Sequence, residues 1–315
     1  MPLVLKVMWP MGEIRSLPVP QGLEGERVDV GLARLLGMSR SQAAQLVDDG
    51  RVAVNDVTVG KSHRLPPQGW LRVELPPVQP PPPPQPVEGL IVHHEDSDLV
   101  VIDKPAGVAA HASPGWHGPT VVGALAAMGI RLADAGPAER QGIVHRLDAD
   151  TSGAMVVAKS TPAYSALKQA FKDRTVTRRY HALVEGALTH PQGVIEAPIG
   201  RHPHQPYRMA VTSDGRPART HYQVVEAYSQ ATLVELELET GRTHQIRVHL
   251  EAIGHPCVGD PLYNPNTHDE LTRQWLHAVG LAFHHPGSGQ WVEFESSYPQ
   301  DLDRVLQMVR STPES

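Results

Sequence analysis

Between Pro76 and Pro86 the chain reads PPVQPPPPPQP. Such a run can enter neither a helix nor a central strand, because proline lacks the backbone N–H and fixes φ. Whatever this chain folds into, it folds on two sides of that segment. The run favours an extended, semi-rigid polyproline spacer. A proline-motif ligand for another protein is the competing reading. The spacer is preferred because folded-looking sequence lies on both sides. Residues 1–75 are therefore expected to form one domain, with its core at 26–75. Residues 76–88 form a Pro-rich linker, and 89–315 a larger second domain.

Composition limits the function classes. The chain has 315 residues, 40% hydrophobic but only 5% aromatic, so its core must be mostly aliphatic. Cys257 is the only cysteine, which excludes an internal disulfide and a cysteine-based zinc cluster. No apolar run approaches the ~20 residues of a membrane span. Pro10, Glu13, Arg15 and Pro18 break any signal-peptide core in the first twenty residues. A cytoplasmic protein is expected, and nothing demands more than a monomer. The net charge of −6 argues at first sight against a nucleic-acid partner. Binding depends on where charge sits, however. From Lys168 to His221 there are nine Lys/Arg against four acids, with five histidines among them.

Before the proline run, Val28 to Leu36 has helical apolar spacing. Ser39 then reads as the N-cap of SRSQAAQLVDDG, with Gly50 as the stop. RVAVNDVTV reads as a hairpin turning at Asn55-Asp56, and WLRVELP alternates like a strand. After the run, LIVHHEDSDLVVIDKPAG predicts two strands around an acidic turn. Thr120–Met128 and Thr161–Phe171 predict helices. GIVHRLDADTSGAMVVAKS reads strand, sharp turn, strand. ATLVELELETGRTHQIRVHLEAIGH reads strand, turn, helix, with Ile246, Leu250 and Ile253 on one face. Strands and helices mix without a regular βαβ repeat. The expected class is α+β, with a mixed, largely antiparallel sheet and flanking helices. Residues before Glu26 and after Arg310 carry no pattern and read as tails.

Four segments can carry chemistry. In GIVHRLDADTSG, residues 142–153, Asp148 is either a turn cap or a carboxylate presented for attack, and Gly153 is free to take a positive φ. In TGRTHQIRVH, residues 240–249, Arg242, His244, Arg247 and His249 crowd a helix start. That suits an anion site or a solvated basic face. Metal binding by His244 and His249 is discounted, because five residues is poor spacing and no H-E-x-x-H acid stands between them. In TVTRRYHALVEG, Arg178 and Tyr180 share one side of a strand. Tyr180 is either a core ring or a stacking platform for a base. RHPHQPYRMAVTSDGRPART, residues 201–220, is basic and proline-broken and reads as a long loop that carries Arg208. Ser152 lies in D-T-S-G rather than G-x-S-x-G, which disfavours a serine hydrolase. Clustered carboxylates for a metal-dependent nuclease are missing.

The helix pair and hairpin, on SRSQAAQLVDDGRVAVN, resemble the alpha-L RNA-binding module. The resemblance implies RNA contacts by Arg40, Arg51, Lys61 and Arg64, diluted by Asp48 and Asp49. IDKPAG, HRLDADTSG, RRY, TGRTHQIRVH and GHPCVGDPLY, in that order, resemble the RluA-type family of pseudouridine synthases from about Gly89 to Tyr298. RHPHQPYRMAV and HPCVGDPLY are most similar to the branch acting on large-subunit ribosomal RNA, the D type. The resemblance implies Asp148 as catalytic aspartate, Tyr180 stacked on the target base and Arg247 paired with the aspartate. Arg146, Thr151, Arg178, Arg208, Arg242 and His244 are implied as substrate-binding. It also implies RNA as partner, with neither cofactor nor metal. Transfer RNA as substrate, or a non-catalytic role in RNA binding or ribosome assembly, are the alternatives. Ala149 departs from the family, which often has a basic residue there, and Cys257 replaces a common aliphatic residue.

Overall fold

The computed structural model describes residues 13–38, 40–75, 84–112, 116–137, 140–205, 207–266 and 270–311. The chain divides into two compact units, 1–80 and 81–315. Ser39 and residues 76–83 of the proline run lie outside the described residues.

The first unit contains β1 (Ile14–Pro18), α1 (Val28–Leu36), α2 (Arg40–Asp48), β2 (Val52–Val54), β3 (Val57–Thr58) and β4 (Trp70–Glu74). Its sheet runs β1-β4-β2-β3, all antiparallel. Asn55 and Asp56, at φ 49° and 64°, supply the left-handed pair that a two-residue hairpin turn requires. Val28 and Leu32 of α1 and Ala43, Leu46 and Val47 of α2 pack on Val52, Val54, Leu71 and Val73 of the sheet. Burying one such side chain stabilises by about 1.5–3 kcal/mol. The N-terminal tail expectation is corrected here. Ile14–Pro18 pair residue by residue with Glu74–Trp70, because β4 otherwise leaves a row of unpaired backbone groups on that side.

The second unit is built on a nine-stranded sheet. Its strands are β5 (Ile91–Glu95), β6 (Leu99–Lys104), β7 (Ser152–Ala158), β8 (Thr177–Glu185), β9 (Gln192–Glu196), β12 (Arg219–Ala227), β13 (Ala231–Leu238), β14 (Leu276–His284) and β15 (Trp291–Glu295). The order is β5-β6-β7-β14-β8-β13-β12-β9, and β15 also pairs β14. Only β7 and β14 are parallel, and the other described pairs are antiparallel. A separate ribbon joins β10 (Ile199–Arg201) to β11 (Met209–Val211). The loop expected over 201–220 is thus partly a hairpin.

Both faces of this sheet are covered. Val100, Ile102, Met155, Val157, Tyr180, Ala182 and Val184 share a core with α3 (Val121–Ala127) and α5 (Gln245–Ala252). The alternate residues Leu99, Val101, Ala154 and Val156 face α4 (Thr161–Asp173). Leu183 and Trp275 face α6 (Gln300–Ser311). Two-sided burial explains why 99–102 of β6 and 154–158 of β7 are unbroken apolar runs rather than alternating ones. Tyr180 of β8 therefore projects to the same side of the sheet as α5. Ile253 is corrected: it caps α5 and is exposed, unlike Ile246 and Leu250.

The apolar strand expected ahead of the Asp148 loop is also corrected. Ile143 makes a single bridge to Val157, and the chain then leaves the sheet. The His145 Nε2 atom accepts the Val156 N–H at 3.0 Å, so a side chain takes the position that a paired strand would occupy on β7. Gly153, at φ 118°, crosses β14 where an added Cβ would lie 2.3 Å from the Ala278 carbonyl oxygen. No other residue fits that crossing.

Candidate active site

The loop 144–151, the start of β8 and the turn into α5 open onto one cleft of about 910 Å³. Asp148, Tyr180 and Arg247 line it together with Arg146, Thr151, Arg178, Arg242 and His244. Eight residues spread over about a hundred positions of sequence are thus brought to one site. Arg140, Lys168, Lys172 and Arg174 add cations to its rim.

The loop bearing Asp148 is pinned from several sides. Its own turn closes through Thr151 N–H to the Asp148 carbonyl at 3.1 Å. The hydroxyl of Thr151 accepts from Gln274 Nε2 at 3.1 Å. Arg273 Nη1 donates to the Asp150 carbonyl at 3.1 Å. Beneath it, the buried ammonium of Lys104 donates to the carbonyls of Pro105 (2.9 Å), Val108 (2.7 Å) and Ala149 (2.8 Å). Burial pushes the Lys104 pKa down to about 7.

The turn before α5 is held by Gln245. Its Oε1 accepts from the Thr240 hydroxyl and the Arg242 N–H at 2.8 and 3.0 Å. Its Nε2 donates to the Arg219 carbonyl and to the Thr220 hydroxyl. This places Arg247 in the first turn of the helix, where Nη1 donates to Asp148 Oδ2 at 3.1 Å. The remaining edge of the same guanidinium is gripped by Asp260, with Nε to Oδ2 at 2.6 Å and Nη2 to Oδ1 at 2.8 Å. Arg247 is 6% exposed and Asp260 1%.

Burial by itself would raise the Asp148 carboxyl, since it disfavours the charged form. Attraction from His244, Arg247 and Arg146 and the Arg247 hydrogen bond outweigh burial and hold it below the usual carboxylate range. Burial keeps the His244 pKa itself below the ordinary histidine value. Tyr180 is 5% exposed, and burial raises its hydroxyl pKa. The site thus holds an ionised carboxylate and a neutral phenol side by side.

The other expected residues are placed as follows. Arg178 Nη2 donates to the Leu238 carbonyl at 2.7 Å, and its guanidinium lies 5.6 Å from the Phe171 ring centre. Arg242 Nε donates to the Pro217 carbonyl at 3.1 Å. Arg208 does not line the cleft. It pairs with Glu251 at 2.8 Å and stacks on Tyr263 at 4.9 Å. In the first unit, Arg40 pairs with Asp29, Arg51 with Glu74 and Lys61 with Asp48. Arg64 donates to the Gly25 carbonyl. The exposed pairs Arg51–Glu74 and Lys61–Asp48 are worth at most about 1 kcal/mol each.

Sequence reasoning passed over Lys104, Asp260 and Tyr263. They stand in IDKPAG and GHPCVGDPLY, segments used only as markers of resemblance. Ser152 does meet a histidine, His277 Nδ1 at 2.9 Å, but both are buried in the sheet. The other nitrogen of that ring faces Ser296 instead of a carboxylate, so no hydrolase triad forms. His94, Asp96 and His285 form a close group outside the cleft. His285 Nδ1 accepts the Gly287 and Ser288 N–H groups at 3.2 Å, so its proton sits on Nε2 and points at Asp96. Hydrogen bonds close that group, and His285 keeps no lone pair for a metal.

Residues 98–252 match the family described as RNA pseudouridylate synthase, and residues 26–69 match the S4 domain. The chain is 54% identical to an uncharacterized RNA pseudouridine synthase of Mycobacterium bovis over 94% of this chain and 98% of that protein. It is 43% identical to a ribosomal large subunit pseudouridine synthase D of Nitrosomonas europaea, over 95% and 89%. The structure is similar to human RNA pseudouridylate synthase domain containing 1, with a TM-score of 0.56 and 29% identity, over 74% of this chain and 99% of that one. With a buried carboxylate, a guanidinium bound to it and a cleft rimmed by cations, the chain belongs to the RNA pseudouridylate synthase family and carries an S4 domain ahead of its synthase domain.

Proposed function

We propose that this protein isomerises particular uridines of large-subunit ribosomal RNA to pseudouridine, in the cytoplasm, with Asp148 as the reacting carboxylate. The observation that carries the reading is the Asp148–Arg247 contact of 3.1 Å on the cleft wall, beside the ring of Tyr180. The name of the Nitrosomonas relative supports the choice of RNA.

The reaction breaks the bond from ribose C1′ to uracil N1, turns the base and joins C1′ to C5; C5 then gives up its proton and N1 gains one, so the product is an isomer. A base inside a helix cannot reach a recessed carboxylate, so the target nucleotide flips out of its stack. Tyr180 then supports the flipped ring by stacking. Arg247 keeps Asp148 charged despite burial. Arg146 and Arg242 take phosphates beside the target, and the rim cations extend that track. No redox step and no group donor enters this chemistry, so no cofactor is assigned.

The test is pseudouridine mapping of total RNA from cells lacking the protein, rescued with wild type or Asp148→Ala. Loss of particular large-subunit sites, restored by wild type alone, is the expected result. Loss confined to transfer RNA replaces the substrate. Rescue by Asp148→Ala, or no lost site, overturns the reading in favour of a non-catalytic RNA-binding role.

A further inference from the structure

Tyr263 belongs to none of the segments that carry the proposed chemistry, yet it sits between two cations and beside the catalytic loop. The Arg247 guanidinium lies 5.0 Å from its ring centre and that of Arg208 4.9 Å. Its hydroxyl accepts the Met209 N–H at 3.0 Å and lies 2.9 Å from His244 Nδ1. A phenol has one proton to give. Met209 offers only a donor, so the arrangement that satisfies the hydroxyl gives that proton to His244 Nδ1. An imidazole that accepts at Nδ1 carries its own proton on Nε2. His244 lines the cleft, and its Nε2 lies 4.0 Å from Asp148 Oδ2, beyond hydrogen-bond reach of it. The backbone supports this aim. His244 precedes α5 at φ 55°, a left-handed conformation costly for a residue with a side chain, and its ring does not cap the helix.

We propose that His244 donates its Nε2–H to a carbonyl oxygen of the target uracil, and that Tyr263 is the positioning residue that fixes the tautomer able to do so. This rests on the uridine-isomerising reading above. When the glycosidic bond breaks, the electron pair leaves with the base, and negative charge spreads onto the uracil carbonyls. A donor already aimed there binds the detached base more strongly than the intact nucleotide, which is what accelerates a step. The proton stays on His244, so the histidine serves at both detachment and rejoining. Met209 and Arg208 tie Tyr263 to the β10–β11 ribbon, so the ribbon braces the donor.

The first measurement is nitrogen-15 NMR of the His244 ring in the full-length protein at pH 7.5. A proton on Nε2 in wild type, and mixed tautomers in Tyr263→Phe, are expected. A proton on Nδ1 in wild type overturns the proposal whether or not the protein is active. The second is single-turnover pseudouridine formation on unmodified large-subunit ribosomal RNA transcribed in vitro, with binding affinity measured alongside. His244→Ala should slow the step on the order of 10- to 100-fold with little change in affinity. Tyr263→Phe should slow it less. His244→Gln, which keeps an N–H near Nε2, should recover part of the rate. Unchanged rates in the His244 variants while Asp148→Ala is dead overturn this proposal alone. An active Asp148→Ala overturns the reading on which it rests.

Discussion

Asp260 grips Arg247 through two hydrogen bonds, of 2.6 and 2.8 Å, and leaves one guanidinium edge free for Asp148. The arginine is therefore positioned by a second carboxylate, which does not line the cleft. Asp260 Oδ1 also accepts the Leu262 and Tyr263 N–H groups, so the same residue holds the turn that presents Tyr263. Asp260→Ala is expected to lower stability by about 3–5 kcal/mol, because it strips one partner from a buried pair. Urea denaturation checks this. A loss below about 1 kcal/mol would mean that Asp148 alone suffices to hold Arg247.

Lys104→Met should separate chemistry from binding. The ammonium ties the Ala149 carbonyl, next to Asp148, to the turn at Pro105–Val108. Each carbonyl left unpaired costs about 1–3 kcal/mol, partly offset by no longer burying a charge. The expected outcome is a slower single-turnover rate with unchanged RNA affinity. A loss of affinity with an unchanged rate would place Lys104 in RNA binding instead.

Stability should fall on mild acidification. Burial pushes His145 down to about 3 and His277 down to about 4, against about 6.5 in an unfolded chain. Between those values the unfolded chain binds more protons, so stability rises with pH. It is complete above about 6.5 and declines as pH falls toward the folded values, by up to about 1.4 kcal/mol per pH unit for each group. His181, His244 and His249 are shifted in the same direction, burial being the main cause. Urea midpoints at pH 7.5 and 5.0 measure it, and an equal or higher midpoint at pH 5.0 contradicts it.

Gly153→Ala tests the crossing of β7 and β14. The methyl would meet the backbone of Ala278 at 2.3 Å, at a φ that L residues avoid. A loss of at least about 3 kcal/mol, or no folded protein, is expected. Ser152→Ala at the next residue removes only a hydroxyl and should keep the fold. A well-folded Gly153→Ala protein would show that β14 can move aside.

Local patterns were legible and distant pairings were not. The α1 spacing and the Asn55-Asp56 turn follow from contacts a few residues apart, and the structure has both. Tyr180 and Arg178 were placed together from strand alternation alone. The loop bearing His145, Arg146 and Asp148 was legible, but the apolar strand expected ahead of it was not formed, because Ile143 and Val144 are buried with only the single Ile143–Val157 bridge. What displaces pairing there is the His145 side chain on Val156, which no periodicity reveals. Ile14–Pro18 looked like a tail because a strand on the edge of a small sheet has little apolar alternation to display. Asp260 and Tyr263 were invisible as site residues, since their partners stand 13 and 19 positions earlier, across a turn.

The place of β14 in the sheet sets an order of events in synthesis. Residues 276–284 lie between β7, which follows the Asp148 loop, and β8, which bears Tyr180. As the ribosome makes the chain, β7 and β8 emerge roughly a hundred residues before the strand that must separate them. A growing chain can therefore form the β5–β6–β7 and β8–β13–β12 halves, but it cannot join them. Long-range pairing of this kind is slow, because loop closure comes before any contact rewards it. The cleft between the Asp148 loop and β8 can be completed only after residues 276–284 have left the exit tunnel.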